Sequence, residues 1–366
     1  MKRVMNFNPG PAAIPLEVLQ EAKDELLDFA GTGMSVLEVS HRSKDYEKVH
    51  NEAQALLKEL LGLGEGHQVL FMGGGAYTQF ELLPLNFLNS GQTADYLVTG
   101  SWAQKAFKEA KIVAGHRGAT ARAAATTEVD KKFTRIPKPA DCSFTDNAAY
   151  VHLTSNNTIF GTQWHTFPDV KAPLTADMSS DILWRPFDAS KFSLIYAGAQ
   201  KNLGPAGVTV VIIKEDFLAK AKEDIPTIFC YKTQAKENSL FNTPPVFGVY
   251  LVGKTLKWIK KNGGLANNEK NNRAKGDLLY QTIDKHAGFY KAPVEKESRS
   301  YMNVVFRLPS EELETKFVDE AKKLGMIGLK GHRSVGGIRA SLYNAVTLDS
   351  VKALTSLMED FIKKNG

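Results

Sequence analysis

Apolar and polar positions alternate along this chain so as to divide it into short strands and amphipathic helices that follow one another. Pro15 stands at the start of a helical stretch over 15–30, where Leu16, Leu19, Leu26 and Leu27 recur at helical spacing. A second helix is predicted over 44–61, with Tyr46, Val49, Ala53, Leu56, Leu57 and Leu60 facing inward. Gln68–Met72 reads as a strand that ends in Gly73-Gly74-Gly75, and a helical run from Ala76 to Leu88 follows. Further apolar runs at Tyr96–Val98, Lys111–Ala114, Tyr150–Leu153, Pro173–Ala176, Leu194–Tyr196 and Val208–Ile213 are predicted strands. Helices or loops separate most of them, which predicts an α/β fold whose large domain has a mainly parallel sheet flanked by helices.

A long amphipathic helix, Pro245–Asn262, is closed by Gly263-Gly264, and the pattern changes there. Beyond it, helices (Asn267–His286, Glu311–Leu324, Ser350–Lys364) alternate with strands (Tyr301–Arg307, Gly337–Ser341). The expected organisation is a large domain over 15–264 and a smaller α+β domain made of 1–14 and 265–366.

Composition narrows the function classes. A chain of 366 residues, 43% hydrophobic, buries a core large enough to need no metal or disulfide staple. Cys142 and Cys230 form neither a CxxC pair nor a Cys/His cluster, so no metal site is expected and a reducing cytoplasm suits them. Lys2 and Arg3 have no apolar run behind them, which speaks against a signal peptide. No stretch approaches the roughly 18–20 apolar residues of a membrane span. The net charge of +6 comes from lysines interleaved with acids, as in Lys44-Asp45-Tyr46-Glu47-Lys48, which reads as a solvated face rather than a nucleic-acid surface. Mild positive charge also suits an enzyme that gathers anionic substrates.

Four elements carry candidate chemistry. Lys201 sits in the small-residue turn Ala199-Gln200-Lys201-Asn202 after an apolar strand; desolvation there lowers a lysine's pKa and lets it form a Schiff base. A surface loop lysine would look similar. Asp177, in Thr175-Ala176-Asp177-Met178-Ser179, ends an apolar strand upstream. Pyridoxal phosphate needs such a pair, a carboxylate against its ring nitrogen and a lysine at its aldehyde carbon, although an N-cap aspartate is the plainer reading. Gly73-Gly74-Gly75 opening a helix offers backbone N–H groups to an anion. It matches neither the dinucleotide fingerprint nor the GxxxxGK[ST] loop. Trp102, in Gly100-Ser101-Trp102 after a strand, is placed to stack on a flat ring or to fill a core.

Taken in order, these elements resemble the phosphoserine aminotransferase family of fold-type-I pyridoxal-phosphate enzymes. The resemblance runs through Asn6-Phe7-Asn8-Pro9-Gly10-Pro11-Ala12, Ser40-His41-Arg42-Ser43, Gly73-Gly74-Gly75, His152–Gln163, the lysine turn and Gly331–Ser341. It implies that Lys201 is the catalytic lysine and holds the cofactor. It implies that Asp177 pairs with the ring nitrogen, Trp102 stacks on the ring and Thr154 contacts its hydroxyl side. Gly75, Ala76 and Gln200 would hold the phosphate, joined by Asn242 and Thr243 from a second subunit, which makes the homodimer a shared-site assembly. Arg339 would clamp the α-carboxylate, while His41, Arg42, His332 and Arg333 receive the substrate phosphate or the glutamate side chain. Some members carry arginine where this chain has Ala76. The implied reaction is ping-pong amino transfer from glutamate to 3-phosphohydroxypyruvate, giving phosphoserine and 2-oxoglutarate, with 4-phosphohydroxythreonine a further candidate substrate. Another fold-type-I enzyme of the alanine–glyoxylate type is the alternative. A cysteine desulfurase would need a nucleophilic cysteine near the small domain, and both cysteines fall in the large-domain part.

Overall fold

The computed structural model describes residues 3–366. Seven strands form its central sheet: β1 (His67–Met72), β2 (Thr93–Val98), β3 (Thr120–Thr126), β4 (Val151–Thr154), β5 (Leu174–Asp177), β6 (Phe192–Gly198) and β7 (Thr209–Lys214). Their spatial order is β1-β7-β6-β5-β4-β2-β3. The pairings from β6 across to β3 are parallel. β7 runs against both of its neighbours, β6 and β1. The mainly parallel sheet expected from the alternating pattern is therefore present, with one strand reversed.

Helices α1 (Leu16–Asp24), α2 (Lys44–Leu60), α3 (Gly75–Phe87), α4 (Ser101–Arg117) and α5 (Val246–Lys261) flank this sheet. Strand residues alternate between two cores. Leu70, Tyr96, Tyr196 and Val211 pack with Phe80, Leu83 and Ala110 of α3 and α4. Val69, Leu97, Leu153, Ile195 and Val210 pack with Leu57 and Leu256 of α2 and α5. A sheet covered on both faces needs apolar residues at odd and even positions, which is why its strands read as continuous runs.

Two expectations are corrected. Lys111–Ala114 is not a strand but part of α4: Ala103, Ala106, Ala110, Val113 and Ala114 are buried at helical spacing, and Gly118 caps the end at φ +62°. The strand beside β2 is β3, whose Thr-Ala-Arg-Ala-Ala-Ala-Thr lacks the β-branched and aromatic signature of the central strands. The first helix stops at Asp24 rather than near residue 30, and a short 3-10 turn occupies Phe29–Gly31.

A third core joins α6 (Gly264–Lys285), α7 (Glu311–Lys323) and α8 (Leu348–Asn365) to β8 (Asn303–Phe306) and β9 (Ile338–Ser341). Leu279, Phe306, Phe317, Ile338, Leu354 and Phe361 fill it. Phe7, from the start of the chain, is fully buried in it, and Met5–Asn6 pairs in parallel with Met326–Ile327. The amino-terminal segment is thus anchored on the carboxyl-terminal part, and from there Gly10 passes over the lysine turn.

Candidate active site

The site forms where β4, β5 and β6 end. Thr154 closes β4 and Asp177 closes β5, in register with one another and with Tyr196 of β6. Lys201 follows β6 in the turn after Gly198. Ligands of open parallel sheets bind beyond such strand ends. Trp102 lies in the first turn of α4 rather than at the end of β2. Its ring centroid is 5.8 Å from Lys201 Nζ, and its edge-on partner is Tyr77. Ala12 N–H donates to the Gln200 carbonyl at 2.9 Å. A Cβ on Gly10 would come within 3.2 Å of Lys201 Cγ, so the arm closes tightly over the lysine.

Burial sets the electrostatics. It pushes the Lys201 ammonium down to about 8; nearby Arg339 adds to the lowering, and Asp177 and Asp181 oppose it. Burial also pushes Asp177 upward, against the Ser179 hydrogen bond and the Lys201 charge. Ser179 N–H donates to Asp177 Oδ1 at 2.9 Å. Lys201 Nζ donates to Thr158 Oγ1 at 2.8 Å, and Arg339 Nη1 reaches the Thr158 carbonyl at 3.5 Å. Thr158 therefore bridges the two cations, a contact the sequence motif contained but gave no reason to single out. Lys105, one turn beyond Trp102, was also missed; its Nζ lies 4.3 Å from the Trp102 ring centroid.

Arg339 and His332 line a cleft of about 300 Å³ together with Ile159, Phe160 and Arg307. Arg333 lines the adjoining cleft with His332 and Glu314. The His332 imidazole is held below its ordinary value by burial and by the charges of Arg339, Arg333 and Lys105. Gly75 and Ala76 open α3. Asn242 and Thr243 share a cleft with Gly73, Gly74 and Thr78 of the same chain. His41 lines a separate cleft with Thr243 and Pro205, and Arg42 is exposed. Within one chain, then, Asp177, Trp102 and Arg339 are neighbours of Lys201, Thr154 lies beside Asp177 in register, and His332 shares a cleft with Arg339, while His41 and Thr243 line a different one.

Pyridoxal phosphate fits this donor set. Thr154 Oγ1, Trp102 Nε1 and Arg339 Nε are buried with no protein partner, and buried polar atoms of that kind call for a ligand or water. A buried carboxylate, an amine with a depressed pKa and a helix start complete the set.

Comparison with known proteins agrees. The family described as aminotransferase class-V matches residues 4–354, and the chain belongs to it. Curated relatives at 51–55% identity over essentially the whole chain are named phosphoserine aminotransferase. The enzyme of that name from Niallia circulans is 55% identical over 366 residues, covering 100% of this chain and 99% of the relative. A solved phosphoserine aminotransferase from Bacillus circulans subsp. alkalophilus is 54% identical, covers 100% of both chains and superposes with a TM-score of 0.96. Another, from Trichomonas vaginalis with pyridoxal phosphate bound, is 39% identical, covers 98% of this chain and 100% of its own, and has a TM-score of 0.93. The cofactor of this chain is pyridoxal phosphate. The alanine–glyoxylate alternative is not favoured, because relatives above half identity over full length carry the phosphoserine name.

Proposed function

We propose that the chain catalyses reversible ping-pong amino transfer from glutamate to 3-phosphohydroxypyruvate, yielding phosphoserine and 2-oxoglutarate in serine biosynthesis. The observation that carries this reading is Lys201, an amine held near pKa 8 between Asp177 and Arg339 and tied to Thr158. Bound pyridoxal phosphate supplies the electron sink that stabilises charge at the substrate Cα. Lys201 anchors the cofactor and, once free, moves the Cα proton; a pKa near working pH suits both tasks. Asp177 holds the ring nitrogen, Trp102 covers the ring, and Thr154 meets its hydroxyl side. Gly75, Ala76 and Gln200 hold the phosphate. Arg339 clamps the α-carboxylate through its planar fork. His332 and Arg333 receive the side-chain anion, phosphate or carboxylate.

The active unit in this reading is a homodimer. His41, Arg42, Asn242 and Thr243 serve the site of the second copy. In support, His41 and Thr243 line one cleft away from His332, and Leu37, Ile228, Phe229 and Phe241 leave apolar surface exposed nearby in sequence. The division into a large part over 15–264 and a small part made of 1–14 and 265–366 belongs to the same proposal, as does the cytoplasm, which suits two unpaired thiols. Among the described residues no helix is long and apolar enough to cross a membrane.

The test is a coupled assay of glutamate formed from phosphoserine and 2-oxoglutarate. The wild-type protein should turn over and Lys201→Ala should not. Turnover retained in that variant would remove Lys201 from the mechanism.

A further inference from the structure

Arg307 and Glu314 lie outside every role assigned above. Arg307 follows β8, and Glu314 stands in the first turn of α7 with its carboxylate buried. Arg307 Nε donates to Glu314 Oε1 at 2.5 Å, and Arg307 Nη1 donates to the Val335 carbonyl at 3.0 Å. Glu314 Oε2 accepts the Gly337 N–H at 3.0 Å, and Oε1 also takes the Leu308 N–H at 3.3 Å. One ion pair therefore fastens both ends of the segment Val335–Gly337.

That segment is the return arm of the turn that carries His332 and Arg333. The His332 carbonyl accepts N–H groups from Val335 at 2.9 Å and Gly336 at 2.8 Å. Gly331 N–H donates to the Gly337 carbonyl at 2.7 Å, and Ser334 Oγ meets His332 Nδ1 at 2.7 Å. Gly337 has φ +75°, and a Cβ there would stand 2.6 Å from Arg307 Cδ, so the turn is pressed against the guanidinium stem. Arg307 itself lines the cleft that holds His332 and Arg339.

The charges explain why a pair is needed. A lone buried carboxylate beside an anion site would repel the anion, and a lone arginine in that cleft would compete for it. Paired, each cancels the other, and both spend their remaining hydrogen bonds on the turn.

We propose that the Arg307–Glu314 pair is a positioning device that sets His332 and Arg333 on the substrate's side-chain anion, and so fixes the preference for phosphorylated over uncharged side chains. This rests on the role given above to His332 and Arg333.

The experiment compares holoenzyme variants Glu314→Ala, Arg307→Ala and the double variant. Substrates are phosphoserine and L-alanine, which has no side-chain anion. Each variant should lose about ten- to a hundredfold in kcat/KM for phosphoserine, as expected when a binding group is misplaced. The alanine half-reaction should stay close to wild type. The double variant should be no worse than either single one, because both break the same contact. If Glu314→Ala instead improves phosphoserine while Arg307→Ala harms it, Arg307 is a direct anion ligand and the proposal fails. Equal losses for both substrates also overturn it. Hydrogen exchange over 331–337 gives a reading free of substrate: it should quicken in Glu314→Ala and, more mildly, in Glu314→Gln, whose shape is conserved. Unchanged exchange sinks the clamp even if His332 and Arg333 bind phosphate. Quickened exchange in the variant, when the wild-type enzyme already uses phosphoserine and alanine equally well, refutes the role of His332 and Arg333 and with it the proposed preference, leaving only the clamp.

Discussion

The Lys201 amine should titrate near pH 8 in the cofactor-free protein, and its neighbours should move that midpoint in opposite directions. With a pKa of about 8, roughly a quarter of the amine is free at pH 7.5, against about 0.1% for a lysine at its ordinary value. The site thus offers some two hundred times more free amine than a surface lysine does. Asp177 holds the pKa up, and Arg339 together with burial holds it down. Asp177→Asn removes the negative neighbour, so the protonated form loses support and the midpoint falls, by about one pH unit for a close charge. Arg339→Gln removes the positive neighbour, so the midpoint rises by a similar amount. The assay is the rate at which the apoprotein captures pyridoxal phosphate, followed by the yellow absorbance as pH varies. A wild-type midpoint near 10, or variants shifting in the same direction, would refute the electrostatic account.

The remaining predictions concern stability and binding. Lys201 has a folded pKa below the ordinary 10.5, so between about 8 and 10.5 the unfolded chain binds the extra proton and stability rises with pH. Apoprotein Lys201→Met should accordingly be more stable than wild type at pH 7, by about 3 kcal/mol, with the gap closing towards pH 10.5 in urea titrations. Arg339→Lys should raise KM for every amino acid, because a point charge replaces a planar fork; steady-state kinetics with an unchanged KM would move the carboxylate site elsewhere. Asn303 is fully buried, accepts Asn156 Nδ2 at 2.7 Å and donates to Ser341 Oγ and the Tyr343 hydroxyl. Asn303→Ala should therefore cost about 2–4 kcal/mol in urea unfolding, since it orphans groups in a connected buried network. A loss under about 0.5 kcal/mol would mean that the network does not act as a unit.

What could be seen in the sequence divides along physical lines. Asp177 is legible because it ends a strongly apolar strand and Lys201 because it stands in the turn just beyond one, and the strand ends of an open sheet meet in space whatever the loops between them. Arg339 became visible only with its whole segment, Gly331–Ser341, since an arginine in an apolar strand has no local mark of a ligand. Lys111–Ala114 misleads because its three apolar residues, Ile112–Ala114, fit strand and helix alike; only Ala103, Ala106 and Ala110, further back, fix the helical period. β3 escaped because alanine carries little strand preference, and its place at the sheet edge demands little burial. Thr158 meets Lys201, and the Arg307–Glu314 pair meets Val335 and Gly337, across long stretches of chain that no spacing rule records, while Lys105 meets Trp102 at the one-turn spacing that any helix face shows. His41 and Arg42 stood out as a motif, yet their distance from His332 within one chain appears only in three dimensions.

The central claim is that this site reads a phosphate on an amino acid that reacts with the cofactor held by Lys201. The direct measurement is a single half-reaction: holoenzyme with phosphoserine and no keto acid, followed in the visible spectrum, with plain serine as control. Bleaching of the yellow band by phosphoserine but not by serine at equal concentration is the expected result. A yellow protein that responds to neither, or equally to both, would contradict the account of its substrate, and a protein that stays colourless with excess cofactor would contradict Lys201 and Asp177 themselves.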